Sequence, residues 1–234
     1  PMGRLPALSH FSTSAGSRSS GSPKPPPAGE TMRTTSPRFI RSTRILPIDV
    51  SSACHDLAAT LRDRGELAEA ASLFREALEI RRGLARTDPS TNLPGVATSC
   101  LDLAVILRDR GDLAGAERLG REALGIRRDL ADADPGAWLP AVATACGNLA
   151  TTLHDRGGLA EAESLFREAL SISRHLSDSD PGTYRPGMAR SCLDLATTLR
   201  DRGVLAEAES LFSEALRTYR TLAEDSPGAW LPDV

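Results

Sequence analysis

Residues 54–78, CHDLAATLRDRGELAEAASLFREAL, decide the fold, because the same pattern returns three more times along the chain. The four cysteines, Cys54, Cys100, Cys146 and Cys192, follow one another at intervals of 46, 46 and 46 residues. The strings Asp-Arg-Gly and Glu-Ala-Leu recur once in every copy at the same interval. A period that is kept without insertion or deletion indicates a repeat protein whose units stack on one another.

Each unit has the pattern of two helices. In the second unit, apolar residues recur at three- and four-residue spacing between Pro94 and Gly111. We place the start of the helix at Pro94 because proline is favoured at the first helical position. Glycine adopts the left-handed conformation that ends many helices. A second apolar stripe runs from Leu113 and stops before Pro135. We therefore predict a first helix of about 15 residues beginning at Pro94 and a second of about 20, joined as an antiparallel hairpin.

Composition agrees with an all-α protein. Hydrophobic residues make up 40% of the chain and aromatic residues only 4%. The apolar residues are mainly alanine and leucine, which are strong helix formers, as are the abundant glutamate and arginine. The apolar runs are shorter than the ~18 residues of a membrane helix, so we expect a soluble protein.

The repeated pattern resembles the tetratricopeptide signature. In the first unit the matching residues are Leu57, Ala58, Leu61, Gly65, Leu67, Ala70, Phe74 and Ala77. A unit of 46 residues, instead of the usual 34, resembles the kinesin-light-chain and nephrocystin-like branch, as in arrays of high-GC actinobacteria. The resemblance implies an all-α, right-handed α-solenoid of about four antiparallel hairpins within residues 46–234. Its units are expected at about 48–93, 94–139, 140–185 and 186–231.

The resemblance also implies where a ligand binds. In tetratricopeptide arrays the first helices line a concave face on which peptides lie. Equivalent positions of this chain form rows along that face, including an acid-and-amide row and a row of basic residues. The predicted groove residues are Asp56, Arg62, Leu101, Asp102, Val105, Arg108, Asn148, Thr151, His154, Asp194, Thr197 and Arg200.

Two of these rows carry specific expectations. The row through Asp102 resembles the family's backbone-binding asparagines, but only Asn148 keeps the amide that can both donate and accept. The row through Arg108 could recognise acidic side chains. The alternative is a solvated face on which each arginine is offset by a neighbouring acid, as Arg62 is by Asp63.

We find no motif for catalysis, a metal or a cofactor. One cysteine per repeat places equivalent thiols two helices apart, too far for disulfides or a shared zinc ion, so we expect buried core thiols. Asp-Arg-Gly is interpreted as a helix end. The adjacent Cys54 and His55 point about 100° apart on a helix and form no catalytic dyad.

We expect Gly120, which replaces the phenylalanine of the other units, to soften the second hairpin, and Gly120→Phe to raise the melting temperature.

The two ends of the chain differ from the repeats. Residues 1–45 are rich in serine, proline and glycine and carry a net charge of +6, whereas the rest carries −9. We interpret them as a disordered segment, with an organelle transit peptide as the alternative. Residues 227–232, PGAWLP, repeat residues 135–140, which suggests a piece of a longer array. The last helix, about 205–224, keeps its apolar stripe instead of a polar cap, so we expect it to be covered by further sequence, a partner or a second copy.

These observations favour a protein-interaction scaffold that binds a protein or peptide, and no catalytic activity. The acidic repeat region does not suggest a nucleic-acid surface, and no membrane segment is expected. The alternatives are a structural or oligomerisation spacer and the sensor arm of a larger regulatory ATPase or peptidase protein. Unpaired cysteines fit a reducing environment, so the expected location is the cytoplasm.

Overall fold

The computed structural model describes residues 46–225, so the expectations for residues 1–45 and 227–232 lie outside the described residues. The described part consists of helices in regular antiparallel pairs, which confirms the predicted all-α solenoid of four hairpins. The helices are α1 (Pro47–Asp63), α2 (Leu67–Ala85), α3 (Pro89–Asp109), α4 (Leu113–Ala133), α5 (Pro135–Asp155), α6 (Leu159–Ser179), α7 (Pro181–Asp201) and α8 (Leu205–Asp225).

The first helices begin earlier than predicted. Helix α3 starts at Pro89, and Pro94 lies inside it, so the expected start at Pro94 is wrong. Asp88 caps this helix by accepting a hydrogen bond from the backbone N–H of Thr91 at 3.3 Å. The proline at 94 deprives the carbonyl of Ser90 of its helical donor, but Ser90 is exposed and water can replace that donor. The same Asp-Pro start opens α5 and α7, which makes these helices 21 residues long.

Each hairpin turns at a left-handed glycine. Gly111 has a φ of 84°, and its N–H donates to the carbonyl of Arg108 at 2.8 Å. The equivalent glycines Gly65, Gly157 and Gly203 have φ values of 82°, 83° and 81°. The predicted role of the Asp-Arg-Gly string as a helix end is therefore confirmed, and the short link places the two helices antiparallel.

Small residues allow the helices to pack closely. Three alanine positions per unit recur with the period, and every one of these side chains is at most 4% exposed. They are Ala58, Ala104, Ala150 and Ala196; Ala70, Ala116, Ala162 and Ala208; and Ala77, Ala123, Ala169 and Ala215. Each helix contacts the helices before and after it in sequence, so one continuous core runs through the four described hairpins.

Gly120 is packed more tightly than expected. A methyl group at this buried position would lie 3.2 Å from Cδ1 of Leu149 on α5. Leu149 of the neighbouring helix therefore lies against the point from which a phenylalanine ring would extend. We replace the expectation that Gly120→Phe stabilises the fold with the opposite one, because an added ring would overpack this contact.

Ion pairs join successive second helices along the outside of the array. In each case an arginine contacts a glutamate 40 residues later: Arg82 with Glu122 at 2.7 Å, Arg128 with Glu168 at 2.6 Å and Arg174 with Glu214 at 2.7 Å. A buried cysteine lies beside each pair, and all the cysteines are free. Burial raises the pKa of Cys100 and Cys146 to about 12 and that of Cys192 to about 11. The predicted core thiols are confirmed for these three cysteines, whereas Cys54 is only half-buried.

Helix α3 is, among the described helices, the one long and apolar enough by composition to cross a membrane. Half of its apolar stretch is buried inside the array, against α2 and α4. We interpret it as a core helix of the solenoid, because buried helices of this kind share the composition of membrane spans.

Candidate functional site

The first helices form the inner layer of the described array. Helices α3 and α5, and α5 and α7, contact each other directly, although a second helix separates each pair in the chain. Such contacts require the first helices to converge. We call the surface that α3, α5 and α7 share the groove.

A cavity of about 550 Å³ opens in the groove between α5 and α7, with α6 as its floor. Its floor is largely apolar and includes Phe166, Ala169 and Leu176. Its walls mix small and polar residues, namely Ala143, Gly147, Asn148 and Thr151 on α5 and Tyr184, Gly187, Arg190 and Asp194 on α7. A cleft of this size with an apolar floor and a few polar groups can hold several side chains of a ligand.

The cavity lies where the repeat pattern changes. In the first two units an arginine on the second helix reaches the next first helix: Arg81 donates to the carbonyl of Gly95 at 3.2 Å, and Arg127 to that of Ala141 at 2.9 Å. The equivalent residue in the third unit is Ser173, which lines the cavity. Ser173 is too short to span this gap and instead shares a hydrogen bond with the Ser191 hydroxyl at 3.2 Å. We attribute the cavity to this loss of an arginine side chain.

Four of the predicted groove residues meet at this cavity. Arg108, Asn148, Thr151 and Asp194 all line it. The Thr151 hydroxyl donates to the carbonyl of Gly147 at 2.9 Å, so it remains able to accept. Asn148 is half-buried and offers both an amide donor and a carbonyl acceptor at the wall.

The other predicted residues are distributed along the array. Leu101 is only 4% exposed, so the prediction that it contacts a ligand is wrong: its side chain packs in the core of the second hairpin. Val105 and Thr197 are half-buried and Asp56 is exposed. The Thr197 hydroxyl donates to the carbonyl of Leu193 at 2.9 Å.

Asp102 lies in a basic environment within the first two units. Its carboxylate is 3.6 Å from Nδ1 of His55. Burial raises the pKa of Asp102 above the ordinary aspartate value, although His55 and Arg62 oppose this rise. The contact with His55 is longer than a hydrogen bond, and the buried Oδ2 of Asp102 has no hydrogen-bond partner within the described residues. Its predicted role in binding a peptide backbone stays a prediction.

The basic row is largely paired with acids of the array. Arg62, Arg108 and Arg200 each contact the aspartate that follows them in sequence, at 3.0, 3.3 and 3.1 Å. His154 contacts Asp201 of the next unit at 2.9 Å. Each of these three arginines is thus offset by a neighbouring acid. Whether the row is only a solvated face or recognises acidic side chains stays a prediction.

Arg190, Tyr184, Phe166 and Ser173 are cavity residues that the sequence reasoning did not select. The Arg190 side chain is 72% exposed and contacts Asp194 at 3.0 Å. One signal was available in the sequence, since Ser173 breaks a column occupied by arginine in the two preceding units. Tyr184 was missed because it precedes Pro186, the proline from which the first helix was expected to begin. Arg190 lies within the expected first helix and Phe166 on a second helix, and neither position belongs to the predicted groove rows.

No group of three or more histidine, cysteine or acidic side chains in residues 46–225 is arranged to hold a metal ion. The cavity contains an amide, hydroxyls, an apolar floor and two arginines. These groups suit non-covalent recognition of a side chain or a peptide backbone.

Comparisons with known proteins agree with this architecture. BtubC (BKLC) from P. vanneervenii is similar in structure, with a TM-score of 0.65 and 21% identity over 81% of this chain and 68% of that one. A Podosopora anserina protein described as a kinesin light chain with nearly identical TPR-like repeats gives a TM-score of 0.56 and 19% identity over 75% of this chain and 76% of that one. The comparison with curated proteins finds no match.

The sequence itself identifies the family. Tetratricopeptide repeat profiles match residues 141–221 and, separately, residues 50–85 and 96–135. Together these segments cover more than half of the chain, and they coincide with the hairpins of the structure. These profile matches, together with the similarity of the solenoid to kinesin-light-chain repeats, show that the chain belongs to the tetratricopeptide repeat family.

Proposed function

We propose that this protein is an interaction scaffold that binds a peptide segment of a partner protein in the groove, at the cavity between α5 and α7. The observation that carries the proposal is the cavity itself, which has an apolar floor at Phe166 and Leu176 and an arginine on either side. Tetratricopeptide repeats generally mediate protein–protein interactions. The groups of the cavity support recognition of a ligand without its chemical conversion.

The lining suggests the chemistry of the bound segment. The apolar floor favours a segment with an apolar side chain that can be withdrawn from water. Arg108 and Arg190 favour an acidic residue beside it, and Arg190 is exposed enough to exchange Asp194 for a ligand carboxylate. Asn148 can pair with the peptide backbone. A short acidic segment with one apolar side chain would match the apolar floor, the two arginines and Asn148.

The repeat pattern supplies a variant that should close the cavity. Ser173→Arg restores the residue that Arg81 and Arg127 provide in the first two units, so the array has already accommodated this side chain twice. Ser171→Arg is the matched control, because it adds the same charge at an exposed position of the same helix, away from the cavity.

The test is selection of peptides from a random phage-displayed library on the immobilised 234-residue chain, followed by affinity measurement with the enriched peptides. We expect carboxylate-containing peptides that lose at least about tenfold in affinity on Ser173→Arg, about 1.4 kcal/mol, and keep it on Ser171→Arg. Equal affinity for the two variants would place binding elsewhere, and failure to enrich any peptide would favour the spacer alternative.

A second variant guards against misfolding of Ser173→Arg. Gly147 lies in the cavity wall, and a methyl group added there would meet no atom within 4 Å. Gly147→Met therefore fills the cavity while raising helix propensity. A peptide that binds Gly147→Met and Ser173→Arg as tightly as the unaltered chain does not use the cavity.

The location that fits this function is the reducing cytoplasm. All four cysteines are free, and three of them are fully buried. Disulfides are rare in such a compartment, and buried thiols there need no partner. Quantifying free thiols in protein purified from its native host under non-reducing conditions checks this inference: a disulfide at any of the four would contradict it.

A further inference from the structure

The two ends of the described array expose faces that every internal repeat buries. Leu216 on α8 is 51% exposed, whereas the equivalent Leu124 and Leu170 are 4% and 3% exposed. At the other end, Leu57 on α1 is 51% exposed, whereas the equivalent Leu103 is 3% exposed. Each end therefore carries one half of the interface that joins consecutive repeats.

Both halves are apolar over more than one residue. On α8, a cavity of about 400 Å³ is lined by Leu205, Phe212 and Leu216, and Leu205 is 62% exposed. On α1, Val50 is 37% exposed and Cys54 is half-buried. The equivalents of Val50, Cys54 and Leu57 on α3 are Val96, Cys100 and Leu103, and they are at most 3% exposed in a helix that contacts the preceding second helix, α2. The face of α1 therefore carries residues that are buried where a second helix precedes them.

The charges at the two ends are also complementary. Inside the array, Arg174 on one second helix contacts Glu214 on the next at 2.7 Å. The residue equivalent to Arg174 at the end of α8 is Arg220, and the residue equivalent to Glu214 on α2 is Glu76. Neither Arg220 nor Glu76 has an ion-pair partner among residues 46–225.

A second pair follows the same rule. Inside the array, Glu163 on α6 contacts Arg202 at the end of the next first helix. The equivalents at the two ends are Glu209 on α8 and Arg64 after α1. Glu209 has no ion-pair partner within the described residues, and the exposed Arg64 contacts among them only its half-buried neighbour Glu66, at 2.8 Å. Two opposite-charge pairs and one apolar contact would thus form together if α1 of one molecule were placed on α8 of another.

We propose that a second copy of this chain docks head to tail, with its α1–α2 hairpin on the exposed face of α8. The interface is the one that joins α6 to α7 within a single chain, repeated between molecules. It is heterologous, because two different faces meet, so each dimer keeps one free face of each kind and can extend into a linear array. This surface is separate from the cavity between α5 and α7, and the proposal does not depend on peptide binding there.

Two variants test the geometry. Leu216→Glu disables the α8 face and Leu57→Glu disables the α1 face, and both side chains are more than half exposed, so neither change introduces a charge into the core. Sedimentation velocity of the 234-residue chain should give a mean mass that rises with concentration. Each variant alone should stay monomeric at every concentration, because a buried unpaired carboxylate opposes docking.

An equimolar mixture of the two variants distinguishes head-to-tail docking from a symmetric dimer. Leu216→Glu keeps an intact α1 face and Leu57→Glu keeps an intact α8 face. The mixture should therefore form a complex of twice the monomer mass and no larger species. A mixture that remains monomeric overturns the proposal, as does a single variant that associates like the unaltered chain. An unaltered chain that is monomeric at all concentrations overturns it as well and would leave the ends to another occupant.

The charge pairs give a check that does not touch the apolar residues. Arg220→Glu should weaken association by roughly fivefold, because it places like charges together at a partly exposed contact. Adding Glu76→Arg to the same chain should restore it, since Glu76 has no ion-pair partner in the described part of its own molecule. Failure of the double variant to recover would contradict the predicted register.

Discussion

The guanidinium of Arg174 and the carboxylate of Glu214 lie 2.7 Å apart and connect α6 to α8 along the outside of the array. Both side chains are partly exposed, at 46% and 27%, and so are those of the equivalent pair Arg128 and Glu168. Water and salt screen contacts of this kind, so they define the register of the repeats while the buried apolar residues supply most of the stability.

Truncation of the ion pair and of the core should therefore differ in effect. Arg128→Ala should lower the free energy of unfolding by less than about 1 kcal/mol. Leu149→Ala, at a side chain that is 2% exposed, should lower it by about 2–5 kcal/mol. Denaturant unfolding measures both, and Glu168→Ala completes a double-mutant cycle for the pair. A larger loss of unfolding free energy for Arg128→Ala than for Leu149→Ala would contradict the claim that the buried apolar residues supply most of the stability.

Gly120 offers a test of how tightly the second and third hairpins pack. Gly120→Ala gains helix propensity of about 1 kcal/mol, but its methyl group must displace Cδ1 of Leu149 by a few tenths of an ångström. Gly125→Ala is the matched control, because it lies on the exposed side of the same helix with no atom within 4 Å. We expect both variants to raise the melting temperature, with Gly120→Ala the smaller of the two. A drop for Gly120→Ala would show that Leu149 cannot move.

The four thiols should differ in reactivity. Burial raises the pKa of Cys100 and Cys146 to about 12, and Cys54 is the one half-buried cysteine. Thiolates are the reactive form, so iodoacetamide at pH 8 should modify Cys54 first and the other three at the rate of unfolding. Peptide mass spectrometry over time measures the order. Early modification of Cys146 would contradict the packing of the core.

Asp102 gives a pH-dependent prediction. Its folded-state pKa is raised by burial, so the ionised carboxylate is less favourable in the folded chain than in the unfolded one. This penalty is complete above the folded-state pKa and disappears as the pH falls to the unfolded-state value. Asp102→Asn should therefore raise the free energy of unfolding at pH 7, and its advantage should shrink on acidification.

The control for that measurement is Asp56→Asn, at the equivalent and exposed position of α1. Chemical denaturation of both variants and the unaltered chain between pH 3 and 7 gives the comparison. An advantage of Asp102→Asn that grows as the pH falls would show that the neighbouring cations outweigh burial.

Much of the fold could be predicted because the repeat shows each feature four times. The left-handed glycines and the buried alanines, such as Gly111 and Ala104, recur at one spacing, and small residues and helix-ending glycines have a narrow range of structural roles. The helix starts could not be predicted in the same way. Pro94 and Pro89 both fit a first helical position, and the choice depends on the cap that Asp88 supplies.

The site was less predictable than the fold. Arg108 and Asn148 were found because family resemblance places their helix face in the groove. The position of the cavity depends instead on the short side chain of Ser173, which leaves empty the space that an arginine fills in the first two units. A serine has no unusual chemistry that would have marked this position in the sequence. Leu101 was predicted to face the groove from its position in the repeat, but its side chain is buried in the core.

The most direct test of groove binding is site-specific photo-crosslinking in the native host. A photoreactive benzoylphenylalanine at Ala143, in the cavity wall, is compared with the same residue at Ser171, on the exposed side of α6. We expect a discrete partner protein to be captured from position 143 and not from position 171, and to be lost when Ser173→Arg is added. Capture of the same protein from both positions, or from position 171 alone, would contradict binding in the groove.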